Sequence, residues 1–309
     1  MRLLKETKID FMSQKRAAFS LSGVLVLAGL LSLIINGGPK LSIDFKGGTL
    51  VAVQFSEPVD IAPVRQALAT TDVNGQVFDF SNAEIKHFGT PSTISIRIAA
   101  LEDEPDDLAH FVVQHLYNSF PNKVPDEVNS FLLTTEKVGP KIGAELSGKA
   151  IMAIISALFL ILVYISIRFE FKFAIGAIIA LIHDVLITLG LFSILDYEIS
   201  LSIIAAFLTI VGYSLNDTIV IFDRIRENLK ARKRESYSTV INHSINQSLS
   251  RTIITSLTTF FVVLILWVSG GEVIHNFAFA MIVGVVVGTY SSIYIASTIV
   301  EWMHVREKT

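Results

Sequence analysis

Two aspartates stand inside long apolar runs, where a carboxylate has to be explained. Asp184 lies in Leu181-Ile182-His183-Asp184-Val185, and Asp217 in Gly212-Tyr213-Ser214-Leu215-Asn216-Asp217-Thr218. An ionisable group at mid-bilayer costs about 3 kcal/mol on insertion scales, so it needs a partner or a task. Gly176, Ala180, Asp184 and Thr188 share one helical face, a small and polar stripe suited to another helix rather than to lipid. Asp184 therefore reads equally as an ion-path residue and as a structural hydrogen-bond acceptor. Thr209, Tyr213 and Asp217 are also spaced for a common face. Asp217 is about two turns from the end of its apolar run at Asp223-Arg224. It reads as a hydrated interfacial carboxylate or as one that gains and loses a proton, with the second favoured. Arg251 heads a later run, followed on its face by Thr255, Thr258 and Thr259. On composition it is an anchor that snorkels to the interface. As an ion partner of Asp217 it would make proton affinity depend on whether the pair is together or apart. His183 precedes Asp184, faces another way and reads as structural.

These side chains need spans to hold them. A helix crosses a bilayer with roughly 20 apolar residues. Six runs qualify, at about 17–35, 149–167, 173–195, 201–222, 252–269 and 277–303. Basic residues gather in alternate connections. Arg2, Lys5, Lys8, Lys15 and Arg16 fall in the tail 1–16, Arg168 and Lys172 between the second and third spans. The loop 223–251 holds Arg224, Arg226, Lys230, Arg232, Lys233 and Arg234, and the tail 304–309 holds Arg306 and Lys308. The short loops between them carry Asp196, Glu198 and Glu272 and no Lys or Arg. The positive-inside rule then places both termini in the cytoplasm. The first run reads as an uncleaved anchor, because Asn36-Gly37-Gly38-Pro39 offers no small-x-small cleavage site. Gly284, Gly288 and Ser292 form a small-xxx-small seam in the sixth run. Asp223 to Asn228, with alternating charges, fits a surface helix along the membrane.

Composition agrees. Charged residues make up 17% of the 309 and apolar ones 51%, against about 25% charged in soluble domains. With no cysteine, disulfides, thiolate metal sites and a cysteine nucleophile are excluded. The one large loop, 36–148, reads as a small α+β domain. Strands are expected at 50–56, 84–88, 93–99 and 130–138, helices at 60–69 and 106–119, with Asp60 as a cap and a turn at Gly89-Thr90-Pro91-Ser92. The order βαββαβ suggests a ferredoxin-like domain. The expected fold is a membrane all-α bundle, 17–35 and 149–303, with this domain inserted.

Several stretches together resemble the SecF family, the smaller subunits of bacterial SecDF complexes in the RND superfamily. They are Asp44-Phe45-Lys46-Gly47-Gly48, Val138-Gly139-Pro140 with Gly143 and Leu146, and Gly212 to Val220 (with Asn216 and Asp217) running on to Asp223-Arg224-Ile225-Arg226-Glu227-Asn228. Arg251-Thr252 with Thr255-Ser256, and Gly288-Thr289 with Ser291-Ser292-Ile293-Tyr294, complete the set. Lys46 departs from the small polar residue, often threonine, expected within Asp-Phe-x-Gly-Gly. The resemblance covers essentially the whole chain. It implies an inner-membrane protein with a periplasmic domain that pairs with SecD and assists the SecYEG channel and SecA, with YajC as a further partner. Protons are the coupling ion and the translocating preprotein is the cargo; no other cofactor and no nucleic acid is implied, and lipid surrounds the spans. Asp217 and Arg251 match the family's proton-path positions, with Asp184 a weaker candidate. Three other readings stay open: half of an RND exporter of small molecules or lipids, an intramembrane aspartyl protease using Asp184 and Asp217, and a passive scaffold.

Overall fold

The computed structural model describes residues 7–73, 76–101, 105 and 107–306. Arg2, Lys5, Asp106 and Lys308, read above for charge or for a helix start, lie outside the described residues, as does the side chain of Glu272. Two compact units are present, Leu41–Ile151 and the remainder. In chain order, α1 (Lys15–Ile35) leads into the inserted unit. That unit comprises α2 (Ile43–Lys46), β1 (Gly48–Gln54), α3 (Ile61–Leu68), β2 (Thr71–Val73), β3 (Gln76–Phe78), β4 (Glu84–Phe88), β5 (Thr90–Ile98), α4 (Leu108–Ser119), α5 (Val128–Phe131) and β6 (Leu132–Val138). The chain returns through α6 (Pro140–Arg168), α7 (Phe171–Ile194), α8 (Leu201–Ala231), α9 (Tyr237–Ser269), α10 (Gly271–Ser291) and α11 (Ser297–Arg306). A π turn, Ser292–Ala296, joins the last two. Among the described residues six helices are long and apolar enough to cross a membrane, with α10 and α11 contributing to the sixth.

In the inserted unit the main sheet has the order β4-β5-β1-β6, each pair antiparallel. With α3 and α4 as the two crossover helices, this is the ferredoxin-like arrangement. Val51, Val53, Ile94 and Ile96 from the central strands pack against Val64, Leu68, Leu108, Val112 and Leu116 from α3 and α4. Phe55 meets Phe120 and Phe131 edge to face. Two local expectations need correcting. Asp60 stands extended at the N-cap of α3, but its side chain makes no capping bond. The β4–β5 turn is tighter than a four-residue loop, because Phe88 already pairs with Thr90 and Gly89 alone reverses the chain at φ 78°. The small hairpin β2–β3 and the short helices α2 and α5 had no periodic signal to announce them.

In the bundle, α7, α8 and the sixth span are the most buried; α1, α6 and α9 expose most of their apolar residues. Small residues set the closest approaches. A Cβ on Gly29 of α1 would lie 2.7 Å from the Gly190 backbone of α7. One on Gly284 would collide with Ile210 of α8, and one on Gly176 would lie 2.9 Å from Val300 of α11. The small-residue seams of the third and sixth runs are thus helix contacts.

Residues 223–231 do not form a separate surface helix. They prolong α8 without a break, and α9 begins at Tyr237, well before the expected span start at 252. Buried Asn228 ties the two extensions together, donating to Ser244 Oγ (2.9 Å) and Gln247 Oε1 (3.0 Å). The N-terminal segment is also docked. Asn242 Oδ1 accepts from the Phe11 amide (2.8 Å), and Asn246 accepts from the Ile9 amide (2.9 Å) and donates to its carbonyl (2.8 Å). Phe11 and Met12 join the bundle core.

Candidate functional site

Asp184 is fully buried on α7. Ser214 of α8 donates to its Oδ2 (2.6 Å), and so does Ser291, the last residue of α10 (2.8 Å). His183 Nδ1 lies 2.9 Å from its Oδ1. The histidine read as facing away therefore belongs to the same cluster, because a side chain of that length folds back to its sequence neighbour. His183 Nε2 lies 2.9 Å from Ser22 Oγ of α1. Tyr290 donates to the Ala18 carbonyl (2.7 Å), and its ring stacks beside His183. If Nδ1–H donates to the carboxylate, Nε2 accepts from Ser22, whose oxygen also lies 3.1 Å from the Tyr290 hydroxyl. Four spans thus converge on one carboxylate. Gly288 permits it, since a Cβ there would lie 2.9 Å from Ser214 Cβ. The π turn follows Ser291 directly, in keeping with such turns at functional sites.

Asp217 is 2% exposed and far less well satisfied. Its hydrogen bond from Ser256 Oγ of α9 is long (3.2 Å), and Thr255 of the same helix is its other hydroxyl neighbour. Ser256 also lies 2.7 Å from Thr289 Oγ1, and Thr289 donates to the Val285 carbonyl (2.8 Å). Thr289 has spent its proton, so its oxygen competes with Asp217 for the proton of Ser256. The Thr255 hydroxyl is shared between Asp217 and the carbonyls of Arg251 and Thr252 (3.0 and 2.9 Å).

Arg251 is exposed, and its charge acts on Asp217 although no ion pair joins the two among the described residues. The two lie on neighbouring helices, α8 and α9. Thr209 is exposed while Asp217 is buried. The face expected to hold both is split, because two steps of four residues drift about 80° around a helix. Gly212 and Asn216 share the exposed side with Thr209, and Arg251 and Thr258 are exposed on α9. Asp184 and Asp217 keep separate partners, and no hydrogen bond links them.

The other motif residues fall at two places. Asp223 lies 3.5 Å from both Arg168 and Arg226, and Arg224 pairs with Glu227 (2.9 Å). Within the inserted unit, Asp44-Phe45-Lys46 form α2, capped by Ser42, and Gly47 and Gly48 follow at φ 75° and 131°. A Cβ on Gly47 would lie 2.8 Å from Pro140 Cα, one on Gly48 would collide with the Ile98 oxygen, and one on Gly143 would lie 2.9 Å from the Phe45 oxygen. The glycine pair, the end of β6 and the start of α6 therefore form one joint, with Pro140 at the first helical position. Gly139 faces open space. Arg97 of β5, bonded to Glu84 (3.2 Å), feels Asp44 as well; burial pulls its guanidinium down from the usual value and both carboxylates oppose this. No group of three metal-ligating residues occurs among the described residues. Sequence reasoning missed Ser22, His183 and Tyr290 as members of the site; their polar character in apolar runs was the available signal.

Residues 123–306 match the family described as protein export membrane protein SecD/SecF, C-terminal, and residues 32–59 match the SecD/SecF GG motif. The chain is 44% identical to the protein translocase subunit SecF of Calditerrivibrio nitroreducens, covering 97% of this chain and 96% of that one. It is 46% identical to the SecF subunit of Rhodothermus marinus, covering 97% and 94%. A crystal structure of SecDF, a translocon-associated membrane protein from Thermus thermophilus, superposes with a TM-score of 0.83 at 37% identity. That match covers 97% of this chain but only 39% of the SecDF chain. With six membrane-capable helices, near-full-length likeness to SecF subunits and both family signatures, this chain is a multi-pass membrane protein that belongs to the SecD/SecF family as a SecF-type translocase subunit.

Proposed function

We propose that this chain is one half of a SecDF-type assembly that uses the proton motive force to assist Sec-dependent export across the inner membrane. The observation that carries the reading is Asp217: a buried carboxylate whose bond from Ser256 is long, facing hydroxyls that are shared with other acceptors, beside an exposed arginine on the next helix. Such a group is poised to exchange a proton, whereas Asp184, held by two hydroxyls and an imidazole, positions α7, α8 and α10 around it. One charge crossing 100 mV releases about 2.3 kcal/mol, enough to bias a small rearrangement. The partner is a SecD-type half. This chain spans about two fifths of the SecDF chain, and its polar face of Thr209, Asn216, Arg251 and Thr258 requires a protein face or a wet cavity. Both termini lie in the cytoplasm and the ferredoxin-like domain in the periplasm, where it acts on preprotein emerging from SecYEG and SecA, with YajC as an accessory. Protons are the only coupling species.

The test is export of a secreted reporter in cells depleted of the native protein and complemented with wild type, Asp217→Asn or Arg251→Met at equal membrane levels. The reading expects both variants to insert, to slow export at least tenfold and to abolish its dependence on the proton gradient. Wild-type export by both would leave the chain a structural partner.

A further inference from the structure

A cavity of about 380 Å³ opens where the start of α1 meets α11, at the end of the bundle that carries the N-terminal segment. Lys15, Arg16 and Phe19 line it from α1, and Thr298, Ile299 and Trp302 from α11. Its walls are apolar and its mouth is basic. Lys15 is neutralised by Glu301 (2.6 Å). Arg16, in the wall, has no carboxylate partner among the described residues; Arg306 lies outside the wall, its guanidinium 4.4 Å over the ring of Trp302, which lines the cavity. Trp302 and Phe19 remain 54% and 38% exposed. The Thr298 hydroxyl is buried and makes no hydrogen bond. An apolar slot, a tryptophan at the end of a span and two uncompensated cations match one ligand chemistry.

We propose that this cavity binds a single anionic phospholipid, with an acyl chain against Phe19, Ile299 and Trp302 and the phosphate between Arg16 and Arg306. The inference rests only on the chain being embedded in a bilayer, so failure of the export test leaves it standing, and its own failure leaves the proton reading untouched.

The sequence holds two tryptophans, so Trp267→Phe leaves Trp302 as the single reporter. The full chain is placed in phosphatidylcholine vesicles with rising fractions of brominated phosphatidylglycerol or, separately, brominated phosphatidylcholine. Trp302 emission should be half quenched at a phosphatidylglycerol fraction on the order of tenfold below that for phosphatidylcholine, a preference that high salt weakens. Arg16→Gln with Arg306→Gln should bring the two curves together and leave the phosphatidylcholine curve in place. Equal quenching by both lipids, or a preference that survives the double substitution, overturns the proposal.

Discussion

Asp184 and Asp217 differ in how completely their lone pairs are used, and that difference separates their roles. Asp184 accepts two hydroxyls and faces an imidazole. Asp184→Leu strands all three donors, and the loss should be about 2 kcal/mol, since buried bonds within membranes average well under 1 kcal/mol each but unpaired donors add to it. Asp184→Asn retains an acceptor for the two serines and should lose less. Thermal unfolding in detergent distinguishes them; a leucine variant as stable as wild type would remove the positioning role. Both aspartates were legible in the sequence, because a carboxylate in an apolar run is rare and expensive. Ser22, Ser214 and Tyr290 were not, because a serine in a helix most often bonds its own backbone, and its reach across to another span depends on packing.

Among the elements, the glycines separate tight contact from open space. Gly288→Ala would push against Ser214, so it should cost about 1–3 kcal/mol and impair export with Asp217 intact. Gly212→Ala meets nothing within 4 Å, and the isolated chain should tolerate it. The joint of the inserted domain offers a second contrast. Gly48→Ala combines φ 131° with a collision with the Ile98 oxygen and should destabilise by about 2 kcal/mol or more. Gly139→Ala should be nearly silent. Limited proteolysis of the four purified variants reads both pairs. If Gly48→Ala and Gly139→Ala are digested alike, the close packing of the glycine pair is not what holds that joint.

For the whole molecule, the exposed polar side of α8 and α9 is the feature a lone bundle cannot explain. The chain has no cysteine, so Asn216→Cys introduces a unique thiol on that side. In membranes holding this chain alone, a water-soluble maleimide should label it. With the SecD-type half present, labelling should fall severalfold and a bifunctional reagent should join the two chains. Unchanged labelling with no crosslink would place the partner elsewhere.

The sequence alone determined the six apolar runs, the order of the four main-sheet strands and two longer helices in the inserted domain, and the residues worth watching, because run length, period and misplaced charge are local quantities. Tertiary structure decided what they do together. Packing of α7, α8 and α10, made close by Gly284 and Gly288, delivers Ser214 and Ser291 to Asp184. Helical drift turns Thr209 outward while Asp217 turns in. Which hydroxyl reaches which carboxylate is set by distances of a few tenths of an ångström between helices far apart in sequence, and no local pattern encodes those.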